Sequence, residues 1–328
     1  MSLIQQIAQR HALANLRRIR IFHFIYNLLK RKHLLYLREK YKALGMSKWA
    51  ISGVSSDDFL GMESKPYWLE ENDSKKVLPE HPRFVMLRQS HQQALLDWSE
   101  EGYAHLEGFF SEDEIDFVAE INDSLWASNK GKWRNGDRRV RMAFEIPELW
   151  GFANQYKLRR VTSLLLGEEA ELMNTINFRK GDEQPIHSDS FYMTTFPLGG
   201  LVGVWIALED IHPDAAPLRY YPGSHKLPYI FNERLNNRGN FWRIGKNGER
   251  EYEDQVRSMI EKYQMEEVVF LPKKGDVLLW HANLLHGGSP RNNDELSRKS
   301  MVCHFVAKNA ICYHEFSQRP AFKIRKRC

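Results

Sequence analysis

The sequence lacks the features that mark several large classes of protein. Three cysteines, Cys303, Cys312 and Cys328, form an odd and sparse set without metal-ligand spacing. This scarcity excludes a disulfide scaffold and predicts a reducing compartment, so we expect a cytoplasmic protein. No apolar run approaches the roughly 18 residues that a transmembrane helix requires. With 42% hydrophobic residues and 27% charged residues, the chain has the composition of an ordinary globular protein.

Acidic residues are almost missing from the N-terminal part of the chain. Residues 1–48 contain eleven Lys and Arg and one acid, Glu39, whereas the other 280 residues contain 36 bases and 41 acids. The net charge of +5 therefore divides into a basic arm of +10 and an acidic body of −5. Because the bases are not spread over the body, we do not expect nucleic-acid binding.

Proline and glycine are also missing from residues 1–44, which predicts a helix. Its apolar positions follow helical spacing: Ile21, Phe24, Ile25, Leu28, Leu29. We divide the chain into a basic amphipathic helical extension (1–48), an irregular connector (49–86) and a catalytic domain (87–328). A Ser111 and Glu114 pair predicts a capping box that begins a helix in that domain.

The basic arm has three interpretations. Residues 1–44 are typical of a helix that lies on a membrane surface, which would make the protein peripheral to the membrane. An Arg-rich, acid-poor amphipathic segment is also typical of a mitochondrial transit peptide, if the source is eukaryotic. In the third interpretation, the apolar stripe packs on the protein's own body or on a second subunit. We favour the membrane surface, with packing on protein close behind.

From Leu172 onward the sequence changes to short runs of β-branched and aromatic residues that are separated by turns. Six such runs predict strands: 173–179, 200–208, 218–221, 267–271, 276–280, 299–306. This pattern indicates a mainly β domain, a sandwich or barrel with helices packed outside it. Residues 231–265 interrupt the strands with a polar, Arg-rich stretch and a helical segment, which predicts a lid or binding loop.

A possible metal site begins with His187-Ser-Asp189 and is completed by His286, far downstream. In a strand, residues i and i+2 point to the same face, so His187 and Asp189 can share one centre. Two histidines and one carboxylate on one face form the ligand set that holds Fe(II) and leaves positions open for substrate. A His-x-Asp triplet alone is weak, since it occurs by chance in many proteins.

Other histidines compete for the same role. His281 could replace His286, but we expect it to be a pocket-wall or structural histidine. His225 lies in a tight turn and His304 on a late strand, where hydrogen bonds within the fold are the expected role.

Further motifs surround the three candidate ligands. Arg298 follows His286 by twelve residues, and its planar guanidinium suits a carboxylate; Ser300 lies two residues further on. With Tyr221-Pro-Gly-Ser-His-Lys226, Gly203-Val-Trp-Ile-Ala-Leu-Glu-Asp-Ile211 and the opening from Trp98 onward, the sequence resembles the phytanoyl-CoA dioxygenase family of Fe(II)/2-oxoglutarate oxygenases. The resemblance covers roughly residues 97–305.

The resemblance implies a double-stranded β-helix (jelly-roll) core with Fe(II) on His187, Asp189 and His286. It also implies that Arg298 binds the distal carboxylate of 2-oxoglutarate, and that Trp205 lines the co-substrate pocket. We add Ser300 and Asn177 as further co-substrate contacts, although a polar position at a sheet edge explains Asn177 almost as well. The family often has a hydroxyl residue where this chain has Gly288, so we expect Ser289 or Ser300 to compensate.

The reaction that the resemblance implies consumes 2-oxoglutarate and O₂ and hydroxylates an unactivated C–H bond, releasing succinate and CO₂. Because related halogenases replace the carboxylate ligand by a small residue, Asp189 favours hydroxylation, desaturation or cyclisation over halogenation. The expected substrate is a small-molecule, lipid-linked or sugar-containing compound. The alternatives are a non-catalytic jelly-roll binding protein and an iron oxygenase that does not use 2-oxoglutarate.

Overall fold

A computed structural model of the chain describes residues 18–127, 134–135, 137–236, 239–240 and 242–323. Residues 1–17 of the predicted N-terminal helix lie outside the described residues, as does Cys328. Within the described part, every strand pair is antiparallel, and the strands form three sheets. No helix among these residues is both long enough and apolar enough to cross a membrane.

The largest sheet has seven strands in the order β1-β9-β6-β11-β4-β3-β2. In that order the strands are β1 (Tyr103–Leu106), β9 (Val277–His281), β6 (Leu201–Ala207), β11 (Ser300–Ala307), β4 (Ala170–Phe178), β3 (Arg138–Val140) and β2 (Arg134–Asn135). One small sheet has the order β10-β7-β8, with β10 (His286–Gly288), β7 (Leu218–Tyr220) and β8 (Val268–Phe270). The other has the order β13-β12-β5, with β13 (Arg319–Pro320), β12 (Ile311–His314) and β5 (Thr194–Phe196).

The central strands of the large sheet are buried on both faces, which explains their almost continuous apolar sequence. Val204 and Ile206 of β6 face one way and pack with the outer helices. Trp205 and Ala207 face the other way and pack against Leu218 and its neighbours in the small β10-β7-β8 sheet. Two antiparallel sheets packed face to face, with helices outside, form the double-stranded β-helix. The predicted mainly β fold class is therefore confirmed.

Helices cover the outer face of the large sheet. Those that pack there are α8 (Glu112–Ala127), α9 (Pro147–Ala153) and α10 (Tyr156–Leu166). The predicted capping box begins α8, because the Ser111 amide donates to Glu114 (2.9 Å) and the Glu114 amide donates to the Ser111 hydroxyl (3.3 Å). The remaining described helices of the domain are α6 (Gln89–Leu95), α7 (Trp98–Glu101), α11 (Asp189–Tyr192) and α12 (Gly248–Lys262).

Over its described residues, 18–48, the N-terminal extension forms two helices rather than the single helix that we predicted. Helix α1 (Arg20–Leu29) is followed by a 3-10 turn (Arg31–His33) and then by α2 (Tyr36–Ala43). The change of direction lets Leu34 and Leu37 enter a core cluster with Ile311 and Tyr313. A straight helix would continue the apolar stripe along one line and would not bring these leucines to β12.

The connector that follows contains three single-turn helices, α3 (Trp68–Glu71), α4 (Ser74–Val77) and α5 (Pro82–Val85). It lies against the domain: Trp68 donates its indole N–H to the Leu164 carbonyl of α10 at 2.9 Å. The division into three segments stays a prediction, because packing of the connector against the domain does not test where a folding unit begins.

Candidate metal centre and co-substrate pocket

The first two candidate ligands lie at a turn between a short strand-like segment and helix α11. The backbones of His187 and His286 pair through two hydrogen bonds of 2.9 Å, which place the two imidazoles side by side. Ser188 then precedes α11, and Asp189 is its first residue. His187 and Asp189 therefore share one side through a strand-to-helix turn, whereas we expected a continuous strand.

The three candidate ligands form one compact, buried cluster. One donor atom from each of His187, Asp189 and His286 lies within 4.8 Å of the other two. Burial and the nearby His286 lower the pKa of His187 to about 3, so this imidazole is neutral at physiological pH. Burial alone would raise the pKa of Asp189, but His304 and His286 outweigh it and hold that pKa below its ordinary value. Neutral imidazoles and an ionised carboxylate are the protonation states that bind a metal.

Backbone carbonyls orient both histidines toward this cluster. The Nδ1 of His187 lies 2.8 Å from the Pro185 carbonyl, and the Nδ1 of His286 lies 2.9 Å from the Leu284 carbonyl. Since a carbonyl only accepts, each Nδ1 carries the proton, and each Nε2 keeps its lone pair for a metal. Two imidazole nitrogens and one carboxylate on one side fit Fe(II).

Two residues from other strands hold the Asp189 carboxylate. Trp280 of β9 donates its indole N–H to Oδ2 at 2.8 Å, and the Nε2 of His304 on β11 lies 3.3 Å from the same oxygen. Trp280 is not among the site residues that the sequence predicts. Trp280 lies one residue before His281, near the end of a buried strand. Such a position is typical of an ordinary core residue.

Arg298 is 2% exposed and lies in the same pocket as the three ligands. Its guanidinium carbon is 5.0 Å from the Phe178 ring centre and 5.8 Å from that of Trp205. Burial lowers the pKa of Arg298 to about 10, although Asp182, whose carboxylate lies 3.9 Å away, opposes this effect. The arginine is therefore charged at neutral pH.

Several polar atoms near Arg298 are buried without a hydrogen-bond partner among the described residues. They are the Nε of Arg298, the Oγ of Ser289 and the Oγ of Ser300. Ser300 shares one face of β11 with Val302 and His304, which line the pocket. Ser289 and Ser300 are not themselves among the residues that line the pocket, whereas Arg298 is. Because a buried donor without a partner is costly, the Nε of Arg298 fits a carboxylate that binds beside it.

The pocket that joins the ligands to Arg298 has a volume of about 240 Å³. Trp205 lines it, as the resemblance implies, and so does Asn174. Arg138 also lines it, donating to Asp182 at 3.1 Å and to Gln184 at 3.2 Å. The amide nitrogen of Gln184 in turn lies 3.1 Å from the Nε2 of His187.

The structure places Asn177 outside this pocket, which corrects our assignment of it as a co-substrate contact. Its side chain points to the opposite face of β4, where its amide donates to Asn122 of α8 at 3.1 Å. Along a strand, alternate residues face the same side, so Asn174, Ile176 and Phe178 reach the pocket and Asn177 does not.

The rival histidines have other partners. The Nε2 of His281 lies 2.7 Å from Glu70 of the connector, and its Nδ1 accepts the Asn283 amide N–H at 3.1 Å. His225 lies beside His281, with ring centres 5.2 Å apart. Neither belongs to the metal cluster.

Gly288, where the family often has a hydroxyl residue, lies against the segment that precedes the ligands. A Cβ at this position would lie 1.8 Å from the Asp182 carbonyl oxygen, and the Gly288 amide donates to the Gln184 carbonyl at 3.0 Å. The close approach of these two segments leaves no room for a side chain.

Helix α12 of the predicted lid packs directly behind the metal motif. The Tyr252 hydroxyl accepts the Ser188 amide N–H at 2.7 Å, and its ring stacks on Phe191 with centres 3.8 Å apart. Residues of the insertion also pair with the N-terminal extension, since the Ile244 amide donates to the Arg18 carbonyl at 2.8 Å.

Comparison with known proteins identifies the class. The sequence pattern of the family described as Phytanoyl-CoA dioxygenase (PhyH) matches residues 98–300, well over half of the chain. The chain therefore belongs to this family of dioxygenases, which assigns it Fe(II) as the metal and 2-oxoglutarate and O₂ as co-substrates. The family resemblance that the sequence predicts is confirmed.

Individual relatives are more distant. The chain is 29% identical to the peroxisomal phytanoyl-CoA dioxygenase of Bos taurus over 176 residues, covering 50% of this chain and 48% of that protein. It is 30% identical to phytanoyl-CoA dioxygenase domain-containing protein 1 of Danio rerio over 132 residues, covering 38% of this chain and 40% of that protein. The matched region spans less than half the length of these curated relatives.

Solved structures show the same fold at low sequence identity. The chain matches EctD from S. alaskensis, solved with 2-oxoglutarate and 5-hydroxyectoine, with a TM-score of 0.55 and 20% identity. That match covers 72% of this chain and 83% of EctD. The carbocyclase SnoK of nogalamycin biosynthesis matches with a TM-score of 0.54 and 18% identity, covering 70% of this chain and 87% of SnoK.

Proposed function

We propose that the chain hydroxylates an unactivated C–H bond of its primary substrate at the His187, Asp189 and His286 centre. In the reaction, R–H, 2-oxoglutarate and O₂ give R–OH, succinate and CO₂. One oxygen atom enters the alcohol and the other enters succinate. The observation that carries the proposal is the joint presence, in one pocket, of three candidate metal ligands and of Arg298, whose buried Nε has no hydrogen-bond partner.

Each residue of the chain has a distinct part in this proposal. His187, Asp189 and His286 would hold Fe(II), which supplies the oxidation of the C–H bond when it is bound with 2-oxoglutarate and O₂. Arg298, helped by Ser300, binds the distal carboxylate of 2-oxoglutarate, and Trp205 forms the wall beside it. Trp280 and His304 fix the Asp189 carboxylate, while apolar neighbours such as Val302 keep water out.

The site supports this function better than the two alternatives. A binding protein without catalysis has no need for a preserved set of ligands whose tautomers are fixed by backbone carbonyls. An iron oxygenase without 2-oxoglutarate would leave the buried charge of Arg298 and its neighbouring hydroxyls without a role. Asp189 supports hydroxylation over halogenation, since a carboxylate occupies the position that chloride would need.

We propose a small-molecule, lipid-linked or sugar-containing primary substrate. The pocket of about 240 Å³ must also admit 2-oxoglutarate, so only a small reacting part of the substrate fits beside the metal. The rest would lie under the insertion formed by residues 231–265. We also place the enzyme in the cytoplasm, at the periphery of a membrane, and the exposed apolar face of α1 supports this location.

The metal assignment can be tested without the primary substrate. Anaerobic addition of Fe(II) and 2-oxoglutarate should give the weak visible charge-transfer band of the iron chelate. We expect His286→Ala to lose the band and His281→Ala to keep it, with circular dichroism confirming that both variants fold. A band that survives His286→Ala and disappears with His281→Ala would show that the ligand set is wrong.

The co-substrate anchor is tested by replacing Arg298. We expect Arg298→Ala to weaken 2-oxoglutarate binding by at least about 30-fold, which corresponds to the roughly 2 kcal/mol lost when one partner of a buried charge pair is removed. Arg138→Ala, which changes the other arginine of the pocket, is the matched comparison. Equal 2-oxoglutarate affinity in wild type and Arg298→Ala would refute the anchor.

The primary substrate can then be sought by succinate release. A panel of small-molecule, acyl-lipid and glycosylated compounds is incubated with Fe(II), 2-oxoglutarate and O₂, and coupled turnover is measured as succinate above the uncoupled background. Mass spectrometry of the hit should show the gain of one oxygen atom. Loss of two hydrogen atoms instead would indicate desaturation or cyclisation and would overturn the proposal of hydroxylation.

A further inference from the structure

Helix α1 turns an apolar face toward solvent. Five side chains that repeat at i, i+1, i+4, i+7 and i+8 are each between 42% and 73% exposed: Ile21, Phe22, Ile25, Leu28, Leu29. This spacing places them along one side of the helix. The apolar stripe that the sequence predicts is therefore present on the outer face of α1. Phe22 belongs to this outer face, whereas Phe24 is half-buried on the side that faces the protein.

The opposite side of α1 is fixed to the protein by polar contacts. Asn27 is buried and donates to the Ile51 carbonyl at 3.0 Å. At the beginning of the helix, the Arg20 amide donates to the Trp242 carbonyl and the Arg20 Nε donates to the Asn240 carbonyl, both at 3.0 Å. The helix is thus held with a polar face inward and an apolar face outward, the reverse of an ordinary surface helix.

Basic side chains border the apolar face. Lys30, Arg31 and Lys32 follow directly at the end of the helix, and all three are exposed. Among residues 18–48 the one acidic residue is Glu39. An apolar stripe with cations at its edge matches an anionic lipid surface. The apolar side chains would contact the acyl chains, and the basic side chains would contact the headgroups.

The same charges disfavour binding of a second copy of this chain to the apolar face of α1. In a twofold contact the same patch meets itself, so Lys30, Arg31 and Lys32 of one copy would approach those of the other. With a single acid in this part of the chain, the repulsion would have little compensation.

We propose that the outer face of α1 binds the surface of an anionic lipid bilayer, with the helix lying flat in the interface. This inference deepens the peripheral location proposed above and rests on it. Leu29, the most exposed of the five side chains, enters the acyl region together with Ile25, while the three bases contact the headgroups. Because Asn240 and Trp242 of the insertion hold the beginning of α1, binding brings the insertion to the lipid surface.

The experiment measures cosedimentation of the full chain with phosphatidylcholine vesicles, with and without phosphatidylserine. We expect wild type to bind the anionic vesicles and Ile25→Glu/Leu29→Glu to bind them at least about 100-fold less, since two apolar anchors are lost. Lys30→Glu/Arg31→Glu/Lys32→Glu should weaken vesicle binding by a similar factor, because each base contributes about fivefold to the affinity. Val85→Glu/Met86→Glu is the matched control and should bind like wild type. Val85 is the last residue of α5 and Met86 follows it, and they are 59% and 62% exposed.

Three results would overturn the proposal. The first is that the wild-type protein stays in the supernatant when anionic vesicles are present. Light scattering that shows a dimer, which Ile25→Glu/Leu29→Glu converts to a monomer, would assign the face to a second copy. Vesicle binding that requires removal of residues 1–17 would show that this segment, and not lipid, covers the outer face of α1 in the full chain.

A separate readout distinguishes this inference from the proposed enzymatic function. Uncoupled 2-oxoglutarate turnover in solution should be the same in wild type and in all three multiple variants, since none of these residues lies in the pocket. Vesicle binding without any turnover in wild type would refute the proposed function and leave the lipid surface standing. Turnover without vesicle binding would refute the lipid surface and the peripheral location, and would leave the enzymatic function standing.

Discussion

At the scale of single residues, the Asp189 carboxylate depends on groups that come from other strands. It is buried beside two ligand histidines, and its oxygen Oδ2 receives the Trp280 indole N–H. An unsupported carboxylate at the beginning of a one-turn helix could rotate about its side-chain bonds. The indole therefore selects the carboxylate orientation that completes the metal site, which is the usual role of hydrogen bonds to metal ligands.

Replacing Trp280 by Phe should therefore weaken metal binding more than it weakens the fold. We expect Fe(II) affinity to fall by about tenfold, the lower end of the range for such supporting groups. Anaerobic Fe(II) titration measures this change. Trp98→Phe removes an indole N–H from a buried tryptophan of the main core and is the matched control. If both variants bind Fe(II) equally, Trp280 does not position the ligand.

The sequence was sufficient to predict the residues whose type is rare and whose spacing is specific. His187, Asp189, His286 and Arg298 could be proposed because the motifs around them occur together. Trp280 could not, since its role depends on the distance between β9 and the beginning of α11, which are far apart in sequence. Asn177 shows the same limit: whether it or Asn174 faces the pocket depends on strand register, which polar residues alone do not determine.

At the scale of elements, the connector is fixed to the domain by the pair of Glu70 and His281. Because the Nδ1 of His281 accepts the Asn283 amide, its Nε2 carries the proton and donates it to the Glu70 carboxylate at 2.7 Å. The pair joins α3 to the last residue of β9. His281, which the sequence offered as a rival metal ligand, thus holds the connector over the sheet.

This pair predicts a pH-dependent difference in stability. Burial alone would raise the pKa of Glu70, but the electrostatic attraction and hydrogen bond of the His281 Nε2–H outweigh it, so the folded-state pKa is lowered. A carboxyl group with a lowered pKa stabilises the fold above its unfolded pKa of about 4.3, and this contribution is lost as the pH falls through the lowered value. Glu70→Gln should therefore cost about 1 kcal/mol at pH 7, a modest value because the side chain is one third exposed.

Urea unfolding at neutral and acidic pH measures this difference. The gap between wild type and Glu70→Gln should shrink as the pH falls below about 4. Glu71→Gln, at the next and exposed position, should match wild type throughout. A gap that is independent of pH would mean that the ion pair does not contribute.

The strands of the domain were largely predictable, whereas the shape of the N-terminal extension was not. Runs such as 200–208 and 299–306 are apolar on both faces and flanked by turns, so local sequence determines them. The helical spacing of residues 20–43 is also real, but the break between α1 and α2 arises from tertiary packing. Leu34 and Leu37 are buried because connector residues such as Phe59 and the strand β12 lie beside them.

At the scale of the whole molecule, the division of charge does not coincide with the division of the core. The extension has a net charge of +10 and the rest of the chain −5, yet Leu34, Leu37 and Tyr41 pack with Phe59, Ile311 and Tyr313 in one cluster. Lys40 also donates to the carbonyls of Lys308 and Ala310. From residue 18 onward, the extension therefore contains α2, which packs into the body, and α1, whose apolar face is outward. Removing residues 1–45 would expose that cluster.

Leu37 and Leu35 test whether α2 belongs to the folded body. Leu37 is fully buried, whereas Leu35, two residues earlier, is 49% exposed. We expect Leu37→Ala to lower the free energy of unfolding by about 3 kcal/mol, as for other buried leucines, and Leu35→Ala to change it by less than about 0.5 kcal/mol. Urea denaturation followed by tryptophan fluorescence measures both. If the two variants lose the same small amount, or if Leu37→Ala unfolds in a separate early step, the extension folds independently of the jelly-roll.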